Sequence, residues 1–126
     1  MATAFYRSIT ACEKVSAFYL DPKVILNDAA RSRGYQVIDA RAVRSKDFKR
    51  FYFVQYKIST PKNGVVYPMF AMNKPTTSGG GNGVIYSMDD IALTLSSYGD
   101  GRKSNLTGTK FSRSDNGYDK ASKCLK

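Results

Sequence analysis

The stretch FKRFYFVQYKIS, residues 48–59, constrains the fold more than any other segment of the chain. Aromatic and branched side chains recur at every second position, the period at which successive residues of a strand point to opposite faces. Phe48, Tyr52, Val54, Tyr56 and Ile58 share one face; Lys49, Phe51, Phe53, Gln55 and Lys57 share the other. Rings on both faces call for paired neighbours at both edges and packing on at least one side. The expectation is a central strand, buried on one face by helices and half covered on the other.

Its neighbours can be read from turn chemistry. TPKNG at 60–64 offers the Pro, Asn and Gly that a tight hairpin uses, so GVVYPMFAM, residues 64–72, is expected to return antiparallel. Pro68 lacks a backbone donor and marks an edge or a bulge in that strand. Residues 35–44, with Val37, Ile38 and Val43, and a run starting at Gly83 supply further strands. TTSGGGNG, 76–83, lacks the Lys-Ser/Thr ending and the following helix of a phosphate-binding loop, and reads as a flexible hairpin loop. SMDDIALTLSSYG, 87–99, carries conflicting signals: Ser87 as a cap and the two acids favour a helix, while Ile91, Leu93 and Leu95 alternate. Given slightly more weight, the alternation makes this a strand with a short helix or turn attached.

Ahead of the strands, Phe5, Ile9, Cys12, Val15 and Tyr19 recur at steps of three and four, which predicts a helix over 3–20 with Cys12 facing the core. Asp21 suits an N-cap, Pro22 the first helical position and Gly34 a left-handed stop, so a second short helix or a bent continuation follows. The chain turns polar after Gly99. Tyr118, Ala121 and Leu125 nevertheless lie at helical spacing, so the segment 99–126 is expected to dock back near Cys12 through a short helix. Cys12 and Cys124 are the only two cysteines, and their spacing fits no CxxC redox or zinc motif. A bond between them would close a loop of more than 100 residues, worth up to about 4 to 5 kcal/mol in chain entropy. It would also imply an extracytoplasmic or secreted setting; two free thiols would leave the cytoplasmic alternative.

These elements make one α+β domain over 1–126: an N-terminal helix or helix pair packed on a curved antiparallel sheet of about four strands, then a short C-terminal helix or tail. In gross plan this is similar to the cystatin-like and NTF2-like folds, although no diagnostic motif of either is present.

Several chemistries are excluded. The chain has no histidine, which removes Ser-His-Asp and Cys-His nucleophiles, His-ligated zinc and a His general base. Asp89 and Asp90 are adjacent, and neighbours in sequence face apart on either helix or strand, so they make a poor acid and base pair. Glu13, beside Lys14, reads as surface charge. Asn105-Leu106-Thr107 matches the glycosylation acceptor pattern, which matters only in a eukaryotic secretory context. No cofactor or metal motif is present, and no apolar run approaches the roughly 20 residues that span a bilayer.

What remains is binding. Twenty Lys and Arg against ten Asp and Glu give a net charge of +10, which favours polyanions and acidic protein faces. KRFYFVQY, residues 49–56, resembles the first ribonucleoprotein motif of RNA-recognition domains, with Lys49, Phe51 and Phe53 at its reading positions and Val54 and Tyr56 matching as well. Arg50 stands where that motif has glycine, Tyr52 where it has a small residue, and a hairpin follows where such a domain continues into a helix.

The first reading is a small non-catalytic binding or assembly module for a protein or anionic polymer, a homo-oligomer included. Its ligand-binding candidates are Lys49, Phe51, Phe53, Lys57, Tyr67 and Tyr86. The second is a single-stranded nucleic-acid-binding protein stacking bases on Lys49, Phe51 and Phe53, with Arg41, Arg44, Lys46 and Arg50 on phosphate. An enzyme without histidine ranks last.

Overall fold

A computed structural model describes residues 12–48, 50–76, 83–103 and 110–126. Phe5 and Ile9 of the predicted first helix, Lys49, most of the glycine-rich loop and the Asn105 acceptor pattern lie outside the described residues.

Between Cys12 and Leu20 the chain is not the continuous helix its periodicity predicted. Glu13–Lys14 form a short strand, β1, and Ala17–Leu20 a single 3-10 turn. The helical spacing of Cys12, Val15 and Tyr19 is produced by a strand and a turn that send the same residues inward. Tyr19 is buried, and Ser16 is tied to the chain far away by donating its N–H to the Pro75 carbonyl at 2.8 Å.

Asp21 and Pro22 do start a helix: α1 spans Pro22–Ile25, with the Asp21 carboxylate accepting from the Lys23 N–H at 2.9 Å. It stops after one turn, and α2 (Asp28–Ser32) restarts from Asn27, whose side-chain oxygen accepts from the Ala30 N–H at 2.8 Å. Gly34 then takes the left-handed conformation, φ 91°, as the stop signal required.

Among the described residues the sheet is antiparallel and has six strands, where about four were expected. β2 (Gln36–Arg44), β3 (Tyr52–Ser59), β4 (Val65–Val66), β5 (Met69–Met72) and β6 (Ile85–Ser87) follow in chain order. Across the sheet the order is β1-β2-β3-β5-β6, with β4 also paired to β3. β3 is therefore the central strand. The 60–64 hairpin forms as expected, with Gly64 at φ 73° supplying the positive backbone angle.

Pro68 splits the returning strand into β4 and β5 without moving its register: Ile58 faces Val66 on one side of the break, and Gln55 faces Met69 on the other. The Pro68 carbonyl still accepts from the Tyr56 N–H at 3.0 Å. Only the bond that its missing N–H would donate is lost, so no residue is inserted and there is no bulge. A bulge does occur in β2, where the register shifts between Val37 and Asp39 and Ile38 is the extra residue.

Residues 87–99 correct the strand reading. Asp90–Leu95 form a helix, α3, capped by Asp89 and not by Ser87: the Asp89 carboxylate accepts from the Ala92 N–H at 2.8 Å. Ile91, Leu93 and Leu95 alternate in sequence, but only Leu95 of the three is buried, alongside Ala92. Asn27 binds α3 to the first helices, donating from its backbone N–H to the Leu95 carbonyl at 2.8 Å and from its amide to the Thr94 carbonyl at 2.9 Å. A last helix, α4 (Tyr118–Ala121), follows Gly117.

Two cores result, one on each face of the sheet. On the first face Tyr52, Val54, Tyr56 and Ile58 pack with Tyr19, Ile25, Leu26, Ala30, Ala92 and Leu95 from the helical layer. On the second face Phe53, Val43, Met69 and Ala71 pack with Phe111, Tyr118 and Ala121 from the C-terminal segment. The sheet thus has packing on both faces, the helical layer on the first and the C-terminal segment as a third layer on part of the second. Its ends are joined by a disulfide between Cys12 and Cys124, 112 residues apart in sequence, which ties the third layer to the start of β1. Among the described residues, no helix is long and apolar enough to cross a membrane.

Candidate functional site

The second face of the sheet was the candidate surface, and the C-terminal segment divides it. Phe111 sits over one half. Its ring centroid lies 4.9 Å from Phe51, 6.0 Å from Phe53 and 5.8 Å from Tyr86. Three of the four aromatic candidates are therefore gathered in one place, but the ring that gathers them fills the space a ligand ring would take. Phe53 has no exposed surface and is closed from the other side by Tyr118 at 5.4 Å. A base cannot stack on Phe53 in this structure. Phe48 also belongs to this cluster, 4.7 Å from Phe111, contrary to its place in the alternation. A turn explains the change: Phe51 donates its N–H to the Phe48 carbonyl at 2.9 Å, so residue 48 is outside the strand and its parity no longer applies.

Gln55 holds the covering segment down. Its side chain is fully buried on the second face, donating from Nε2 to the Ser122 carbonyl at 2.5 Å and accepting at Oε1 from the Leu125 N–H at 2.8 Å. An amide presents a donor and an acceptor side by side, so it can satisfy both backbone groups of a chain crossing over it. Close approach also needs Gly101, which donates its N–H to the Ser87 carbonyl at 2.8 Å and accepts from the Phe111 N–H at 2.7 Å. A Cβ there would lie 2.8 Å from the Tyr86 Cβ and 3.1 Å from the Phe111 ring.

The other half of the second face is not covered in this way. Lys57 is half-buried opposite Asp39, and Val65, 38% exposed, shares its face through the pairing of Val65 with Ser59. Lys126, at the end of the covering segment, places its ammonium 5.7 Å from the centre of the Tyr67 ring. Ile38, the bulge residue, is 51% exposed at the same end of the sheet. Lys57 and Tyr67 are therefore half-buried in a region that Phe111 does not reach, whereas Phe51, Phe53 and Tyr86 lie against its ring, Phe53 alone of the three being fully buried.

The four basic candidates do not form a row. Arg41 lies opposite Gln55, on the second face, paired with Asp39 at 2.6 Å. Arg44 lies opposite Tyr52, on the first face, where its guanidinium donates to the Tyr52 hydroxyl at 2.7 Å and stacks over the ring at 5.2 Å. Lys46 and Arg50 are exposed around the β2–β3 turn, which Asn116 bridges by accepting from the Lys46 N–H at 2.9 Å.

The adjacent acids serve different partners. Asp89 caps α3 and also accepts from the Met69 N–H at 3.2 Å; burial pushes its carboxyl above the ordinary value in spite of both bonds. Asp90 instead meets the Arg102 guanidinium at 3.0 Å. Arg102 also holds Asp100 through its Nε at 2.9 Å and its Nη2 at 3.0 Å, keeping that carboxyl below its usual value. Burial raises the Tyr118 hydroxyl to about 12 and the Tyr56 hydroxyl well above its ordinary range. The Tyr56 hydroxyl donates to the Tyr19 carbonyl at 2.6 Å, a structural tie between β3 and the 3-10 turn.

Sequence reasoning missed Phe111, Gln55 and Lys126. Phe111 stands in a polar stretch, and that isolation was the available signal, since a large ring amid Gly, Ser and Lys needs a place to be buried. No family model matches the chain, and no curated protein or solved structure matches it.

Proposed function

We propose that the protein is a small, non-catalytic, basic binding or assembly module that acts outside the cytoplasm. It takes an acidic protein face or an anionic polymer on the uncovered half of the second sheet face. The observation that carries this reading is the juxtaposition of Lys57, Tyr67 and Lys126 with half-exposed Val65, in a chain of net charge +10. Aromatic rings beside ammonium groups and apolar carbons suit a partner that brings carboxylates on an extended chain. The disulfide supports an oxidising compartment. The comparison with cystatin-like and NTF2-like folds adds only helices followed by an antiparallel sheet, and the proposal does not depend on it.

The test is binding of fluorescent poly-L-glutamate by anisotropy, comparing Lys57→Glu/Lys126→Glu with Lys23→Glu/Lys103→Glu, which makes the same charge change elsewhere. The first pair should weaken binding at least tenfold more than the second. Equal weakening would mean diffuse electrostatic attraction and would overturn the proposed site. Tighter binding of single-stranded oligonucleotides than of poly-L-glutamate would move the reading to nucleic acid.

A further inference from the structure

A second concavity lies away from this face, at the end of the first core. Arg33, Tyr35 and the hairpin residues Thr60, Pro61, Lys62 and Asn63 enclose a cleft of about 430 Å³. A neighbouring hollow of about 280 Å³ shares Tyr35, Thr60 and Asn63 with it and runs on along Val66, Ile91 and Leu95. The shared walls make them one trough. Its larger end falls within the range of about 300–1,000 Å³ typical of small-molecule sites.

The two ends differ in chemistry. Arg33 and Lys62 are both exposed and, among the described residues, neither is in an ion pair. Among the described residues the Asn63 side-chain amide makes no hydrogen bond, and the Thr60 hydroxyl is already engaged, donating to the Gly64 carbonyl at 2.8 Å. Two cations and an amide thus face one end of the trough. At the other end Ile91 is 41% exposed beside half-buried Val66 and Tyr35. The carboxylate on that wall, Asp90, is held by Arg102.

The walls are set before any ligand arrives. The hairpin is closed by the Thr60 N–H donating to the Gly64 carbonyl at 2.7 Å, Tyr35 is fixed by its N–H donating to the Ala30 carbonyl at 3.1 Å, and Asn27 ties α3 to the same helical layer. Rigid walls reduce the ordering a ligand must impose.

We propose that this trough binds a small amphipathic carboxylate, with its head between Arg33 and Lys62 and its hydrocarbon body along Tyr35, Val66 and Ile91. Guanidinium and ammonium recognise the carboxylate, the first by a two-pronged hydrogen bond. The apolar wall supplies the rest of the affinity by burial. This site is independent of the poly-anion surface, and either could exist without the other.

The test is titration of the 15N-labelled protein with octanoate, followed by amide chemical shifts, with acetate and 1-octanol as head-only and body-only probes. Octanoate should move the Tyr35, Thr60, Asn63 and Ile91 amides saturably in the sub-millimolar to millimolar range, with acetate and octanol each at least tenfold weaker. Arg33→Ala/Lys62→Ala should weaken octanoate at least tenfold and leave octanol unchanged; both side chains are exposed, so the fold is retained. Ile91→Ser should weaken octanoate several-fold. Absence of saturable shifts to 10 mM, shifts centred elsewhere, or unaltered octanoate binding in the double variant would overturn the proposal. So would tighter binding of N-acetyl-Leu-Leu-Leu, which would assign the trough to a peptide.

Discussion

Replacing Gln55 by leucine isolates the device that closes the second sheet face. The side chain is fully buried and meets the Ser122 carbonyl at 2.5 Å and the Leu125 N–H at 2.8 Å. Leucine fills a similar volume and can meet neither. A backbone group left unsatisfied in a buried place costs about 1–3 kcal/mol. Ser122 and Leu125 are only half-buried, so their groups can turn partly to water and the lower end applies: about 1 kcal/mol each, about 2 kcal/mol together. At about 2.1 cal/mol/K per residue, unfolding entropy for 126 residues is about 0.26 kcal/mol/K, so Tm should fall by about 8 °C. Thermal unfolding followed by far-ultraviolet circular dichroism measures this. Gln55→Glu supplies a second arm. Its buried carboxyl would titrate above the unfolded value, so its stability is retained at low pH and lost as pH rises through the folded value. A Tm within 2 °C of wild type for Gln55→Leu would refute the reasoning, because the C-terminal segment would then be held without its amide anchor.

Two other perturbations address the same architecture. Gly101→Ala places a methyl 2.8 Å from the Tyr86 Cβ and 3.1 Å from the Met88 sulfur; overpacking should cost about 1–3 kcal/mol and alter the near-ultraviolet dichroism of the rings around Phe111. Asp100→Asn tests the Arg102 pair. The depressed folded-state value of Asp100 contributes stability above the unfolded value, near 3.9, and this is lost as pH falls through the folded value. The variant should therefore flatten the acid limb of a urea-unfolding series between neutral pH and pH 2.5, and an unchanged slope would count against the pairing.

The parts of the fold legible in the sequence are those written in a few adjacent residues. Asp21-Pro22, Gly34, the 60–64 turn and the interruption at Pro68 each act through their own backbone angles or missing donor, so local reading suffices. The pairing of Cys12 with Cys124 was legible because there was no third cysteine to compete. Where tertiary contacts decide, local reading failed. Residues 12–20 have helical spacing, but pairing of Glu13 with Ala42 and Lys14 with Arg41 draws them onto the sheet edge. The alternation of Ile91, Leu93 and Leu95 was overridden by the Asp89 cap and by packing of Ala92 and Leu95 on β3's first face.

What covers the second face was the least legible part of the fold. Phe51, Phe53 and Tyr86 were grouped as ligand-binding candidates, but nothing near them in sequence reveals that Phe111 and Tyr118, more than 50 residues beyond Phe53, lie against this face. Gln55 stands on the face expected to be half covered, and the alternation does not show that it is the contact for a returning chain. The trough formed by Arg33, Tyr35 and Lys62 draws on a helix end, a hairpin and α3, three segments with no common motif.

The central claim is that residues 110–126 form a covering layer on β3, tied down by the Cys12–Cys124 bond. Amide hydrogen exchange, measured residue by residue on the oxidised and the reduced protein, tests it most directly. In the oxidised protein Phe111, Ala121, Ser122 and Leu125 should be protected, and reduction should speed exchange at Ala121, Ser122 and Leu125 at least tenfold while β3 stays slow. Exchange of 110–126 at the rate of an unstructured chain in the oxidised protein would contradict the account, since Phe53 would then face solvent.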